Sequence, residues 1–515
     1  MRVSSLADLN RRNAHLHGPR PALLFEGRSL TYAELDRAAR ALAQAWHDAG
    51  VRKGDRIALV ARNRPEVVLA FVACELAGFV AVPLNHRLAA AELAAICRDC
   101  EPKLLLHEAA FAPAVGEALA ALDGASEAVD FAAPRWASWL ATAPGAATAP
   151  GRVTPGDLGY LIYTSGTTGK PKGVMLNQGA LAATARNMAF ETGALPGDRL
   201  AAVMPLFHIG ARCKLLAYAV RGASTLLVES FDVGVFLDQV QDQGVTALHL
   251  APSMLQSVID EQHARPRRLQ ALRAIHYAAA PMPEPVLRRA LGLFGPIFRQ
   301  YYGMTETGAG GTVLAPADHD LDRGADAQRL RSAGQASIDA DVRVVLDDGR
   351  EAGIGVEGEV EIRTAAAMSG YWRNPIASAE ALRDGWVRTG DVGRFDAQGY
   401  LYIVDRKKDM IVSGGENIYP REVEEALLAH PQVAEAAVNG VPDDTWGEAV
   451  LAVVVPRAGT APGAAELIEH CKTRIASYKK PRQIEFVDRL PKNATGKVDK
   501  NALRAPHWAG RERRV

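Results

Sequence analysis

Leu158-Gly159-Tyr160-Leu161-Ile162-Tyr163-Thr164-Ser165-Gly166-Thr167-Thr168-Gly169-Lys170-Pro171-Lys172-Gly173 begins as an apolar run and breaks into a loop of hydroxyls, glycines and lysines. A strand feeding such a loop suits a polyanion. Glycines let backbone N–H groups turn toward phosphate oxygens, hydroxyls donate further bonds, and Lys170 and Lys172 supply charge. The loop departs from the common nucleotide P-loop, which has four residues between its glycines and a Ser or Thr after the lysine. Here Thr167 and Thr168 alone separate Gly166 from Gly169, and Pro171 follows Lys170. Taken by itself the stretch also fits a surface turn, so its neighbours must decide.

Outward from this loop the chain alternates helical patterns with short apolar strands. Helices are predicted over 32–47 and 65–77, with strands over 56–60 and 80–83. Further on, helices are expected at 181–190, 236–243 and 285–293, and strands at 201–204, 224–228 and 247–250. Such alternation argues for βαβ units and a mostly parallel sheet, an α/β fold. The apolar stretch 67–84 could suggest a membrane span, but Glu75 near its middle would cost about 2.5–3.5 kcal/mol at a bilayer centre. Pro65 starts a helix and Gly78 ends it, so a buried helix followed by a strand is expected instead. Cys97 and Cys100 form a CxxC without a second pair, in and just after a predicted helix over 91–99, and read as buried helix residues.

Between 109 and 155 the composition turns rich in Ala, Pro and Gly, which predicts a loose surface connection. After Ala340 short alternating segments punctuated by Asp-Gly and Gly-Tyr predict antiparallel hairpins or a small barrel. A last α+β unit starts near Asp405, giving an expected division into 1–404 and 405–515.

With 59 basic and 59 acidic residues the chain has no net charge, so nothing points to nucleic acid or to an anionic membrane. Five cysteines in 515 residues are too few for a disulfide framework, and the polar N-terminus lacks the apolar core of a signal peptide. A cytoplasmic protein without a transmembrane segment is expected.

Four more stretches share the texture of the first: Gln300-Tyr301-Tyr302-Gly303-Met304-Thr305-Glu306-Thr307, then Trp386-Val387-Arg388-Thr389-Gly390-Asp391, then Asp405-Arg406 through Gly414-Gly415 to Pro420, then Pro491-Lys492-Asn493-Ala494-Thr495-Gly496-Lys497. In this order and at these separations the set resembles the adenylate-forming superfamily of acyl-CoA synthetases, peptide-synthetase adenylation domains and luciferases, over about residues 6–503. The resemblance implies a large N-terminal α/β domain with a small barrel-like part and a small mobile C-terminal domain. It also implies ATP, Mg²⁺ and coenzyme A as co-substrates and cofactor.

By that resemblance Thr164, Ser165, Gly166, Thr167, Thr168, Gly169, Lys170 and Lys172 hold the β- and γ-phosphates. Ala279, Ala280 and Pro281 border the adenine, Tyr302 and Gly303 carry the stacking face, and Thr305 bonds near the α-phosphate. Glu306 ligates magnesium, a hard cation that prefers oxygen donors. Asp391 accepts the ribose hydroxyls with Arg406 beside it. Lys497 spans the substrate carboxylate and the α-phosphate, work that suits a point charge on a long stem. Asp405 resembles the pivot of the C-terminal domain, and Gly414 and Gly415 line the pantetheine route.

Pro205-Leu206-Phe207-His208 resembles the segment leading into the helix beside the acyl pocket, with His208 at its mouth. Gly210, Arg212, Tyr277, Ala278 and Tyr301 are the expected lining. Lys214 falls on a different helix face from His208 and Arg212, and Arg212 itself is expected to be a solvated or domain-contacting charge in preference to a substrate contact. Tyr301 stands where many aryl-CoA ligases carry Gly, which weakens a phenylpropenoid assignment. The expected reaction is ligation of a carboxylic acid to coenzyme A through an acyl-adenylate. A medium- or long-chain fatty acid is the first expectation and a benzoate- or cinnamate-type acid the second. A free-standing loader of a carrier protein and a non-catalytic nucleotide sensor or scaffold are the rivals; a homodimer is left open.

Overall fold

The structure, a computed structural model, describes residues 3–509 apart from 122–125, 150, 165–170, 281, 322–325, 414–415, 444–445 and 493–496. Its contacts divide the chain into two compact units, Met1–Val342 with Ile362–Arg388, and Arg343–Glu361 with Thr389–Val515.

The first unit is the α/β fold that the alternation implies. Among the described residues, one sheet runs in the order Glu127–Asp130, Leu104–His107, Arg56–Val60, Val80–Leu84, Leu158–Thr164, Lys172–Asn177. Its strands are parallel except for the final hairpin pair. A second sheet places Phe298–Gly303, Ala274–Tyr277, Ala247–Leu250, Arg199–Ala202, Ser224–Leu227 and Pro21–Phe25 side by side, all parallel. Antiparallel strands extend both of its ends.

Local signals explain the connecting helices. Thr31 and Glu34 form a reciprocal capping box at the start of Tyr32–Asp48. Pro65 opens Pro65–Ala77, and Gly78 closes it in the left-handed conformation (φ 76°). From Val67 to Ala77 every residue of that helix is buried, Glu75 included. Among the described residues no helix is long and apolar enough to cross a membrane. Asn177 caps Gln178–Glu191, its side chain accepting from the Ala180 amide at 2.7 Å, so this helix starts three residues before the 181–190 expected.

The stretch from 109 to 155 is not the loose connection that its composition suggests. It holds the helices Ala112–Ala120 and Pro134–Leu140, and the strand Glu127–Asp130 joins the first sheet. Trp136 and Trp139 are buried, and Trp139 meets Trp46 edge-on at 6.1 Å. Two aromatic anchors a turn apart outweigh the alanines and prolines around them.

In the second unit, Ile411–Ser413, Glu416–Ile418, Val433–Asp443, Gly447–Pro456 and Gln483–Phe486 form a sheet. The helices Pro420–Leu428 and Ala464–Lys472 cover it through Val423, Leu427 and Leu467, which pack with Ile418, Val438 and Val450. Asp405 is buried, and its carboxylate accepts from the backbone amides of Arg406 at 2.7 Å and Arg421 at 2.8 Å. It therefore satisfies one of the amides left open at the start of Pro420–Leu428. All five cysteines are free thiols and buried. Burial raises the pKa of Cys97 and Cys471 to about 11 and of Cys213 to about 12, and it lifts Cys74 and Cys100 further.

Candidate active site

Ligands of open parallel α/β sheets bind beyond the carboxyl ends of the strands. Three parallel strands of the second sheet end in residues singled out from the sequence. Arg199–Ala202 leads to Pro205–His208, Ala274–Tyr277 to Ala278–Ala280, and Phe298–Gly303 to Thr305–Thr307. His208 is half-buried and is the N-cap residue of the helix Ile209–Val220. Tyr302 and Thr305 are half-buried, while Gly303 is exposed. A Cβ on Gly303 would stand 2.8 Å from the Gly310 carbonyl oxygen, so close backbone approach demands glycine there. Ala279 holds φ at 74°, a left-handed conformation that few residues other than glycine adopt, and strain of this kind gathers at ligand sites.

Thr164 pairs with Lys172 where the antiparallel strands Leu158–Thr164 and Lys172–Asn177 flank the hydroxyl-rich stretch. Ser165, Gly166, Thr167, Thr168, Gly169 and Lys170 lie outside the described residues, as do Pro281, Gly414 and Gly415. Lys172 reaches over the ring of Tyr371, 5.1 Å from its centroid. The Tyr371 hydroxyl donates to the buried Glu306 carboxylate at 2.8 Å, and the Met368 amide donates to the Glu306 backbone oxygen at 2.8 Å. Burial, and then the Glu306 charge, hold Tyr371 protonated far above the ordinary tyrosine range. One ring thus joins the stem of the phosphate-type loop to the carboxylate expected to ligate magnesium. Tyr371 was not among the expected site residues; its sequence signal is the aromatic pair Tyr371-Trp372 after Gly370.

In the second unit Asp391 and Arg406 are register partners on neighbouring strands, with an ion pair at 3.3 Å. Lys497 feels both. Crowding around its ammonium, then the Arg406 charge, lowers its pKa, and Asp391 pushes it back up. The residue as a whole is still exposed. Three residues drawn from three separate motifs are thereby brought together.

On the acyl side the helix Ile209–Val220 divides its two charges. Arg212 is not solvated, contrary to expectation. It is buried, its Nη2 2.5 Å from Glu75 Oε1 and its Nε 2.7 Å from the Tyr160 hydroxyl. Tyr160 also donates to Glu75, and Asn10 completes the cluster at 2.6 Å. Lys214 points elsewhere, onto the ring of Tyr301. Tyr277 is fully buried and its hydroxyl bonds with His319 at 2.9 Å. Ala278 is half-buried, and a Cβ on Gly210 would meet nothing within 4 Å.

The family described as AMP-binding enzyme matches residues 10–372, and its C-terminal domain matches 422–497. The chain belongs to the AMP-binding enzyme family. The adenylate-forming resemblance and the α/β fold are borne out. This AMP-binding enzyme is 38% identical over 512 residues to feruloyl-CoA synthase of an Amycolatopsis species, covering 98% of this chain and 99% of that one. It is 35% identical to the long-chain-fatty-acid–CoA ligase FadD13 of Mycobacterium tuberculosis, with 93% of each covered. Among solved structures it is similar to the o-succinylbenzoate CoA synthetase of Bacillus subtilis. In complex with its acyl-adenylate intermediate, that enzyme gives a TM-score of 0.86 at 33% identity, covering 96% of this chain and 97% of that one. The same synthetase in complex with ATP and magnesium gives 0.85 at 32%, covering 96% and 98%.

Proposed function

We propose that this AMP-binding enzyme joins a carboxylic acid to coenzyme A in two half-reactions. In the first, a carboxylate oxygen attacks the α-phosphorus of ATP, the bond from that phosphorus to the bridging oxygen breaks, and pyrophosphate leaves. In the second, the sulfur of coenzyme A attacks the acyl carbon, AMP leaves with its oxygen, and the thiol proton passes to solvent.

The observation that carries this reading is the Lys172–Tyr371–Glu306 chain. It places a cation suited to phosphate and a carboxylate suited to a hard metal on two sides of one ring. Anion must meet anion in the first half-reaction, so positioning and charge stabilisation do most of the work. A carboxylate held in one orientation by Tyr371 fits magnesium, which binds through one or two carboxylates together with phosphate oxygens. When bound, magnesium supplies positive charge on the phosphate oxygens.

Lys172, together with Thr164 and the loop between them, steadies the leaving pyrophosphate. Tyr302 offers its face to adenine, Thr305 bonds near the α-phosphate, and Asp391 and Arg406 take the ribose. Lys497 neutralises the two anions that meet. The segment 405–515 turns at Asp405 between the half-reactions, with Gly414 and Gly415 serving the thiol step. His208 stands at the entrance to the acyl site. The relatives named above include an aromatic-acid and a fatty-acid enzyme, so the acyl-site lining must separate the two.

Purified protein given ATP, magnesium and a panel of acids should release pyrophosphate only when acid is present, and AMP on addition of coenzyme A. Pyrophosphate without any coenzyme A-dependent AMP would favour a carrier-protein loader. No pyrophosphate with any acid would leave a nucleotide sensor.

A further inference from the structure

Lys214 is a buried amine that neither half-reaction uses. It is 3% exposed, and among the described residues no carboxylate lies within ion-pair distance. Its ammonium sits 2.9 Å from the centroid of the Tyr301 ring and 3.5 Å from Met188 Sδ. Around it stand His276 and His249, register partners on adjacent strands and both buried. Tyr218, one turn along the same helix, shares a hydrogen bond with His276 at 2.9 Å, and Tyr301 shares one with the other ring nitrogen at 3.3 Å. Among the described residues the His249 side chain makes no hydrogen bond.

Taking an ammonium out of water costs several kcal/mol. A ring face returns about 2 kcal/mol when the pair is desolvated, and a thioether is a weak acceptor for one of three N–H donors. The account is left short by at least one good acceptor. Burial, then the Arg299 charge, lowers the Lys214 pKa well below the ordinary lysine range, and Cys213 and Glu191 offset this only in part.

The position along the helix matters as much as the charge. Gly210 lies one turn before Lys214 on the same face, and that face is open there. His208 precedes Lys214 by six residues, about 9 Å along the helix axis at 1.5 Å per residue and about a third of a turn around it. An unbranched alkyl chain lying along this face would leave Lys214 as poorly satisfied as before.

We propose that Lys214 recognises a second oxygen function on the acid, carried about 9 Å from the reacting carboxylate. A distal carboxylate or a hydroxyl or oxo group at the far end of a cinnamate-sized acid has the required reach. This inference rests on the acid–coenzyme A ligase reading and narrows its substrate class.

The test compares kcat/KM for pyrophosphate release within two pairs of acids, suberate against octanoate and 4-hydroxycinnamate against 4-methylcinnamate, for the wild type and Lys214→Met. The wild type should favour the oxygen-bearing member of at least one pair by tenfold or more. A preference in the first pair identifies a carboxylate, and in the second a hydroxyl. Lys214→Met should reverse the preference, losing on the oxygen-bearing acid and gaining on its apolar twin. Equal loss on both members, or a wild-type preference for octanoate and 4-methylcinnamate, overturns the proposal. Should the variant fail to fold, the wild-type ratios alone decide. Activity without preference defeats only the role of Lys214, whereas silence with every acid defeats the ligase reading with it.

Discussion

Arg212→Met would leave the Glu75 carboxylate, 0% exposed, with Tyr160 and Asn10 but no counter-charge. Breaking a buried pair from one side costs about 3–5 kcal/mol, so the urea midpoint should fall accordingly while KM for the acid changes little. A large rise in KM with unchanged stability would instead make Arg212 a substrate contact. Tyr371→Phe probes the other end of the site. Losing a hydrogen bond to a charged group costs about 1.5–3 kcal/mol, so the magnesium concentration for half-maximal activity should rise by about tenfold or more. A magnesium titration of pyrophosphate release at saturating acid checks this. The contrast between these residues shows what a sequence can reveal. Lys172 and Glu306 could be singled out from sequence because each sits in a local motif. Tyr371 could not, since its link to Glu306 spans 65 positions and only folding creates it. Arg212 was misread for the same reason, its partner lying 137 positions away.

At the scale of elements, Asp198 ties together the beginnings of three parallel strands. Its carboxylate accepts from the Leu195 amide at 2.6 Å and the Thr246 hydroxyl at 3.0 Å, and it binds Arg273 through two nitrogens, Nε at 2.6 Å. Burial pushes its pKa up, but Arg273, the Leu195 amide and Thr246 outweigh burial and hold it below the ordinary aspartate value. A carboxylate with a depressed folded pKa stabilises the fold above its unfolded pKa, about 3.9, and that stability drains away as pH falls through the folded value. Asp198→Asn should therefore cost about 1.5–3 kcal/mol at pH 7, with the gap to wild type closing below about pH 4. Urea unfolding at both pH values would show it; a gap that widens in acid would contradict the assignment. Elements marked by caps and breakers were readable in advance, as Pro65 and Gly78 show. Pro134–Leu140 escaped because its anchor Trp139, against which Trp136 packs, finds its partner Trp46 on Tyr32–Asp48, far back in the chain.

For the molecule as a whole, the proposed residues are shared between two units, Glu306 in the first and Lys497 in the second. A division of labour between half-reactions is the expected consequence. Lys497→Ala should slow acid-dependent pyrophosphate release by about 10²–10³-fold, the scale of losing one charge-stabilising donor. Thioester formation from supplied acyl-adenylate should change far less. Single-turnover assays of the two steps separate them, and equal losses would refute the role. The burial of all five thiols bears on the same chemistry. An enzyme that holds activated acyl groups beside a sulfur nucleophile risks acylating itself. With every cysteine buried and its thiolate suppressed, the protein offers no competing thiol, and the mixed anhydride meets the sulfur of the incoming cosubstrate instead.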